Sequence, residues 1–144
     1  MSDRKTMKDR AREAIDGLRA ELEAVALRIL EHPELGYAEF QASGWLVELL
    51  EAHGFAVERP FGALETAFRA RIGHEKRPHL AFLAEYDALP EVGHGCGHNL
   101  IGPAAAGAAL GMAAVANKLQ GSVSVIGTPA EEYLGQVEGK LKLL

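Results

Sequence analysis

Residues 80–101 read LAFLAEYDALPEVGHGCGHNLI, and the fold class follows from how this stretch changes character. It opens as an apolar run, turns acidic at Glu85 and Asp87, and breaks at Pro90. Two histidines and the single cysteine of the chain, His94, Cys96 and His98, then fall within five residues. The following run, residues 102–116, is almost free of polar side chains. This order predicts a buried strand that delivers a carboxylate and a ligand-bearing loop to the mouth of a buried helix. An apolar run over 79–86 that ends in acids suits a strand covered on both faces.

Downstream, residues 102–119 predict a helix that is apolar all round, and such a helix is buried. Its alanines and glycines are expected to let it lie close on a sheet. SVSVIG, residues 122–127, predicts another buried strand, ending at Thr128-Pro129-Ala130-Glu131-Glu132. Strand, loop, helix and strand in that order form a βαβ unit. The expected fold is therefore α/β, a mostly parallel sheet flanked by helices.

Upstream, Ala11, Ile15, Leu18, Leu22, Val25 and Ile29 share one face of a helix predicted over 9–31. Basic residues before Arg12 oppose the helix dipole, so its first turns are expected to fray. His32-Pro33 stops it, because the residue before proline is pushed out of the α region. A second helix is predicted over 37–53, with Gly54 as the residue after its cap and Phe55 packing back on its last turn. Short strands are predicted over 55–57 and 65–72, with Arg69 and Arg71 on the wet face of the second. Trp45 and the phenylalanines read as core. His53, His74 and His79 sit at element boundaries and read as solvent-facing.

The chain has 144 residues, 48% apolar and 24% charged, which are ordinary values for one soluble globular domain. A formal charge of −5 gives no basic footprint for nucleic acid. One cysteine builds no disulfide framework, so a reducing, cytoplasmic setting is expected. The N-terminus is charged and lacks the apolar core of a signal peptide. The uncharged run over 92–117 resembles a membrane span in composition. Its helical part, about 16 residues, falls short of the roughly 20 required, so no membrane is expected.

In a parallel α/β sheet, ligands bind beyond the carboxyl ends of the strands. Two predicted strands end in acids there, Glu85 and Asp87 on one, Glu131 and Glu132 on the other. The His94/Cys96/His98 loop leaves from the same edge. Thiolate, imidazole and carboxylate together are the ligand set of zinc, with manganese or cobalt as alternatives. Of two adjacent glutamates, one can ligate a metal while the other faces its water as general base. Each residue alone has a plainer reading: a lone cysteine is commonly a small buried hydrophobe, and a Glu-Glu pair is commonly solvated. The spacing of His94, Cys96 and His98 also misses the usual structural zinc patterns. The joint placement at two strand ends favours the metal reading.

At these residues the sequence resembles the dinuclear-metal amidohydrolase and peptidase family of aminoacylases and indole-3-acetyl-amino acid hydrolases. It is most similar to the aminoacylase-like dipeptidases and the p-aminobenzoyl-glutamate hydrolase B subunit. HPELGYAEF (32–40), LAEYDALP (83–90), GHGCGHNLIG (93–102) and GTPAEE (127–132) carry the likeness, in order. It runs from about residue 20 onward. The resemblance implies that Cys96, His98 and Glu132 are metal ligands and that Glu131 is the general base. It makes Asp87 the carboxylate that orients a ligand, and it places His94 behind the ligands. It implies zinc, with manganese or cobalt possible, and two ions in the complete family site. The implied reaction is hydrolysis of the amide of a small N-acyl amino acid or dipeptide.

Two departures shape the expectation. Family members are longer, and they supply two further histidine ligands and a smaller dimerisation domain downstream. Where the family continues from Glu-Glu into a glycine run, this chain has Tyr133-Leu-Gly-Gln-Val-Glu-Gly139. The chain also ends inside an apolar element, at Leu144. Residues 1–144 are thus expected to form a single partial catalytic domain, the N-terminal portion of a zinc-peptidase-like domain, with weak metal binding and little turnover alone. Its unfinished surface is expected to be apolar and to favour homo-oligomers or other association. The alternative is a non-catalytic fragment or degenerate subunit acting through partner contacts. A thiol-redox role for Cys96 lacks a resolving cysteine.

Overall fold

The computed structural model describes residues 2–74, 77–119, 121–132 and 138–144. The single helix expected over 9–31 is two helices, α1 (Ser2–Gly17) and α2 (Arg19–Glu31), and the first begins well before residue 9. The break falls at Leu18, beside Gly17, whose missing side chain meets nothing within 4 Å. Glycine there weakens the helix without serving packing. At the other end of α2, His32 Nδ1 lies 2.9 Å from the Arg28 carbonyl, the helix-stop contact expected of it.

Helix α3 spans Phe40–Ala52. Its free N-terminal amides are taken by Glu34, whose carboxylate accepts the Gln41 N–H at 3.0 Å and the Ala42 N–H at 2.9 Å. The motif at residues 32–40 is therefore in part a helix-starting device. The far end closes as expected. Gly54 has φ +84°, the Gly54 N–H reaches the Glu51 carbonyl at 3.0 Å, and the Phe55 N–H reaches the Leu50 carbonyl at 3.0 Å. This is the paired-bond stop that a left-handed glycine permits.

Four strands form one sheet among the described residues: β1 (Ala56–Glu58), β2 (Phe68–Gly73), β3 (His79–Ala84) and β4 (Ser122–Gly127), in the order β1-β2-β4-β3. The α/β architecture is as expected, but the sheet is mixed rather than mostly parallel. Only β3 and β4 run parallel, in register from His79↔Ser122 to Ala84↔Gly127; the β1–β2 and β2–β4 pairings are antiparallel. The βαβ reasoning applied only to the β3–β4 unit, and the earlier strands enter by turns. Strand β3 lies at the edge, with Leu83 51% exposed and Leu80 37% exposed, so it is not covered on both faces as its composition suggested.

Helix α4 (His98–Leu119) starts four residues earlier than expected and has 22 residues. Over His98–Ala116 it is long and apolar enough to cross a membrane, which removes the length argument against a span. What distinguishes it is burial: 61% of that stretch lies inside, packed on β3 and β4 and against α1 and α2. Its glycines face the helices rather than the sheet. A Cβ at Gly111 would come within 2.7 Å of Ile15, and one at Gly107 within 2.9 Å of Leu22. The core between α3, α4 and the sheet holds Ile29, Leu46, Leu50, Phe68, Tyr86 and Val125. Trp45 sits at its rim, under the Arg28 guanidinium at 4.4 Å. A last helix, α5 (Gly139–Lys142), takes up part of the C-terminal apolar element.

Candidate metal centre

Because β3 and β4 are parallel, their carboxyl ends open on one edge. Glu85 and Asp87 leave β3 there, and Thr128 to Glu132 leave β4. Between them in sequence, the 93–97 loop turns through Gly93 (φ +71°) and Gly97 (φ +89°) and hands the chain to α4. The Gly97 carbonyl accepts the Ile101 N–H at 3.1 Å. His98 is thus the first residue of α4, aimed back at the sheet edge and almost fully buried.

His98 Nδ1 lies 2.9 Å from Asp87 Oδ1 and 3.0 Å from the Asp87 carbonyl. Both oxygens only accept, so Nδ1 carries the proton and Nε2 faces the cleft. There, Nε2 meets Glu85 Oε2 at 3.3 Å and Glu131 Oε2 at 3.8 Å. The second Asp87 oxygen accepts the Glu132 N–H at 2.9 Å, which ties the two strand ends together. Burial pushes the Asp87 carboxyl up, but the hydrogen bonds from His98 and Glu132 outweigh it and hold it below its ordinary range. The hydrogen bond to Asp87 raises the His98 imidazole above its usual value against the opposing effect of burial. Burial pushes the Cys96 thiol up, as do the Glu132 and Asp87 charges, while the His98 N–H opposes them.

Two donor groups share His98: Cys96/His98/Glu132 and Glu85/His98/Glu131, each with its ligand atoms within 4.8 Å of one another. The five residues singled out in the sequence all meet at this edge. Glu85, noted there only as an acid at a strand end, joins them. The arrangement fits a divalent cation. A neutral His98 turns its Nε2 lone pair towards carboxylate oxygens, which leaves that lone pair and those charges to be satisfied by a cation. A thiol, an imidazole and carboxylates are donors that zinc, manganese or cobalt accept.

His94 stands apart from both groups. It is 9% exposed, and neither ring nitrogen has a hydrogen bond among the described residues. Two supporting residues were not foreseen. Glu39, fully buried, accepts the Ala130 N–H at 2.8 Å and the Thr66 hydroxyl at 2.9 Å. It thereby holds Ala130 (φ +56°) in the left-handed conformation that turns Glu131 into the cleft. Burial raises its carboxyl above the usual range. Lys140, from α5, contacts Glu85 and lies 3.2 Å from Glu131 Oε1. Both partnerships span long sequence separations, and no local pattern announces them.

No protein-family model matches the chain. The Xaa-Arg dipeptidase of Mus musculus is 41% identical over 152 residues, covering 96% of this chain and 34% of the dipeptidase. The p-aminobenzoyl-glutamate hydrolase of Escherichia coli is similar in its B subunit, 38% identical over 142 residues, covering 83% of this chain and 29% of that relative. A solved structure from Bacillus subtilis, a dinuclear metal binding peptidase from the M20 family, superposes with a TM-score of 0.71 at 26% identity, over 81% of this chain and 37% of the peptidase.

This chain is a relative of the M20 dinuclear-metal peptidases. The likeness seen in the four motifs holds over nearly its whole length. It spans about a third of the length of the curated M20-type relatives it matches. The departure from the family pattern after Glu132 falls mostly on residues 133–137, which lie outside the described residues.

Proposed function

We propose that this chain is the N-terminal catalytic segment of a metal-dependent amidohydrolase that cleaves the amide bond of small N-acyl amino acids or dipeptides. The convergence of Cys96, His98 and Glu132, with His98 locked by Asp87, carries this reading. Residues 1–144 form one partial catalytic domain in this account, acting in the cytoplasm, and the span of about a third of its relatives supports that. Cys96, His98 Nε2 and Glu132 hold the ion, zinc in preference to manganese or cobalt.

A bound divalent ion supplies Lewis acidity and lowers the pKa of water to about 7. Glu131 accepts the proton of the attacking water and returns it to the leaving amine, so the C–N bond breaks to a carboxylate and an amine. Asp87 keeps the proton on His98 Nδ1, which leaves Nε2 as a donor, and its bond to the Glu132 N–H holds that glutamate in place.

Metal analysis of the purified chain tests this reading. About one divalent ion per chain is expected, lost in Cys96→Ser and Glu132→Gln but kept in Glu131→Gln. Retention of metal in all three variants contradicts the assignment, and fast hydrolysis by the chain alone contradicts its being partial.

The sheet face around β3 favours association. Leu83, Ile126, Phe61, Leu143 and Leu144 line an open cavity of about 320 Å³, and an exposed apolar edge strand recruits partners. Concentration-dependent growth in mass by light scattering is expected; a constant monomer mass at high concentration contradicts it.

A further inference from the structure

We propose that Lys140 is a tethered cation that occupies the Glu85/Glu131 carboxylate pair and so decides which of the two overlapping donor groups takes the metal. The inference rests on the metal reading above. The Lys140 ammonium touches Glu85 Oε1 and lies 3.2 Å from Glu131 Oε1, while the other oxygens of the same carboxylates face His98 Nε2 at 3.3 and 3.8 Å. An ion in the Glu85/His98/Glu131 group therefore draws on the two carboxylates that Lys140 already neutralises. An ion in the Cys96/His98/Glu132 group draws on neither. His98 offers one free nitrogen, because Nδ1 is held by Asp87, so the groups are alternatives rather than two sites filled together through this residue.

The helix that presents Lys140 is seated for the purpose. Gly139 is buried against the Pro129 carbonyl, where any Cβ would overlap it, and its N–H points to the Ala130 carbonyl. On the next turn, Lys142 lies 3.9 Å over the Tyr37 ring. Lys140 is thus carried by the backbone next to Glu131. Each of its ion pairs is partly exposed and individually modest. Together they place one positive charge where a metal in the second group needs none.

The account predicts a rescue. Cys96→Ser alone loses the metal, because the thiolate group is broken and Lys140 blocks the other. Cys96→Ser combined with Lys140→Met is expected to bind cobalt or manganese at least about tenfold more tightly than Cys96→Ser, through Glu85, His98 and Glu131. Isothermal titration of the full chain reads this directly. Lys142→Met in the Cys96→Ser background makes the same charge change two residues away and is expected to rescue nothing. Equal rescue by Lys142→Met, or none by Lys140→Met in a chain that folds by circular dichroism, overturns the proposal. In that last case, cysteine-dependent binding by the unaltered chain leaves the functional reading standing. Rescue without cysteine-dependent binding in the unaltered chain contradicts the Cys96 assignment instead.

Discussion

His98→Gln is expected to lower divalent-metal affinity by more than about 100-fold, a larger loss than changes around a ligand usually cause. The reason is economy of donors: both groups at the sheet edge depend on the same imidazole. No other histidine among the described residues reaches either group, and the unpartnered His94 is in neither. Glutamine keeps an N–H for Asp87 Oδ1, so the fold should survive while the cleft loses its nitrogen. His98→Ala goes further. It leaves Asp87, 1% exposed, with the Glu132 N–H as the remaining hydrogen bond to its carboxylate oxygens among those described. A buried charge stripped of its partner costs on the order of 3 kcal/mol. Metal titration and denaturant unfolding check the two variants separately. Undiminished affinity in His98→Gln contradicts the shared-ligand geometry.

Asp87→Asn is the more instructive change, because it alters almost no volume. The aspartate accepts at both oxygens, from His98 on one and from the Glu132 N–H on the other. Asparagine has one acceptor. If it serves Glu132, its amide donates to His98 Nδ1 and drives the proton to Nε2, the atom needed in the cleft. Metal affinity is expected to fall by about 10–100-fold while the chain stays folded.

The same pair sets a pH window for stability. Asp87 is held below its ordinary value, so its contribution is present above the unfolded value and lost as pH falls through the folded one. His98 is raised, so its contribution is complete below the unfolded imidazole value and lost as pH rises through the folded one. The metal-free chain should therefore be most stabilised by this pair between those limits, at mildly acidic pH. Asp87→Asn should flatten that profile in denaturant midpoints taken across pH. An unchanged profile contradicts the pairing.

What could be read in the sequence was local or periodic. The left-handed stop at Gly54, the helix halt at His32-Pro33 and the parallel β3–β4 unit each follow from a few neighbouring residues. So does the meeting of Cys96, His98, Glu131 and Glu132, because parallel strands put their ends on one edge. The errors have physical causes too. Leu80 to Leu83 has the composition of a strand covered on both sides, whereas the described residues cover one. Gly17 alone is a weak signal, and it breaks a helix whose apolar face runs on across the break. The loop glycines hid the first turn of α4, which Gly97 starts with its carbonyl. Glu39 and Lys140 were invisible because their partners are chosen by tertiary structure: Glu39 reaches Ala130 across 91 residues.

The central claim is that Cys96 and His98, at the mouth of α4, hold a divalent ion together with Glu132 from the next strand. Cobalt titration of the purified chain tests it most directly, because cobalt bound by a thiolate shows a sulfur-to-metal absorption band and cobalt bound only by oxygen and nitrogen does not. The account predicts that band in the unaltered chain, saturating near one ion per chain, and its disappearance in Cys96→Ser. Saturable cobalt binding without the band, or no binding by a folded chain, contradicts it.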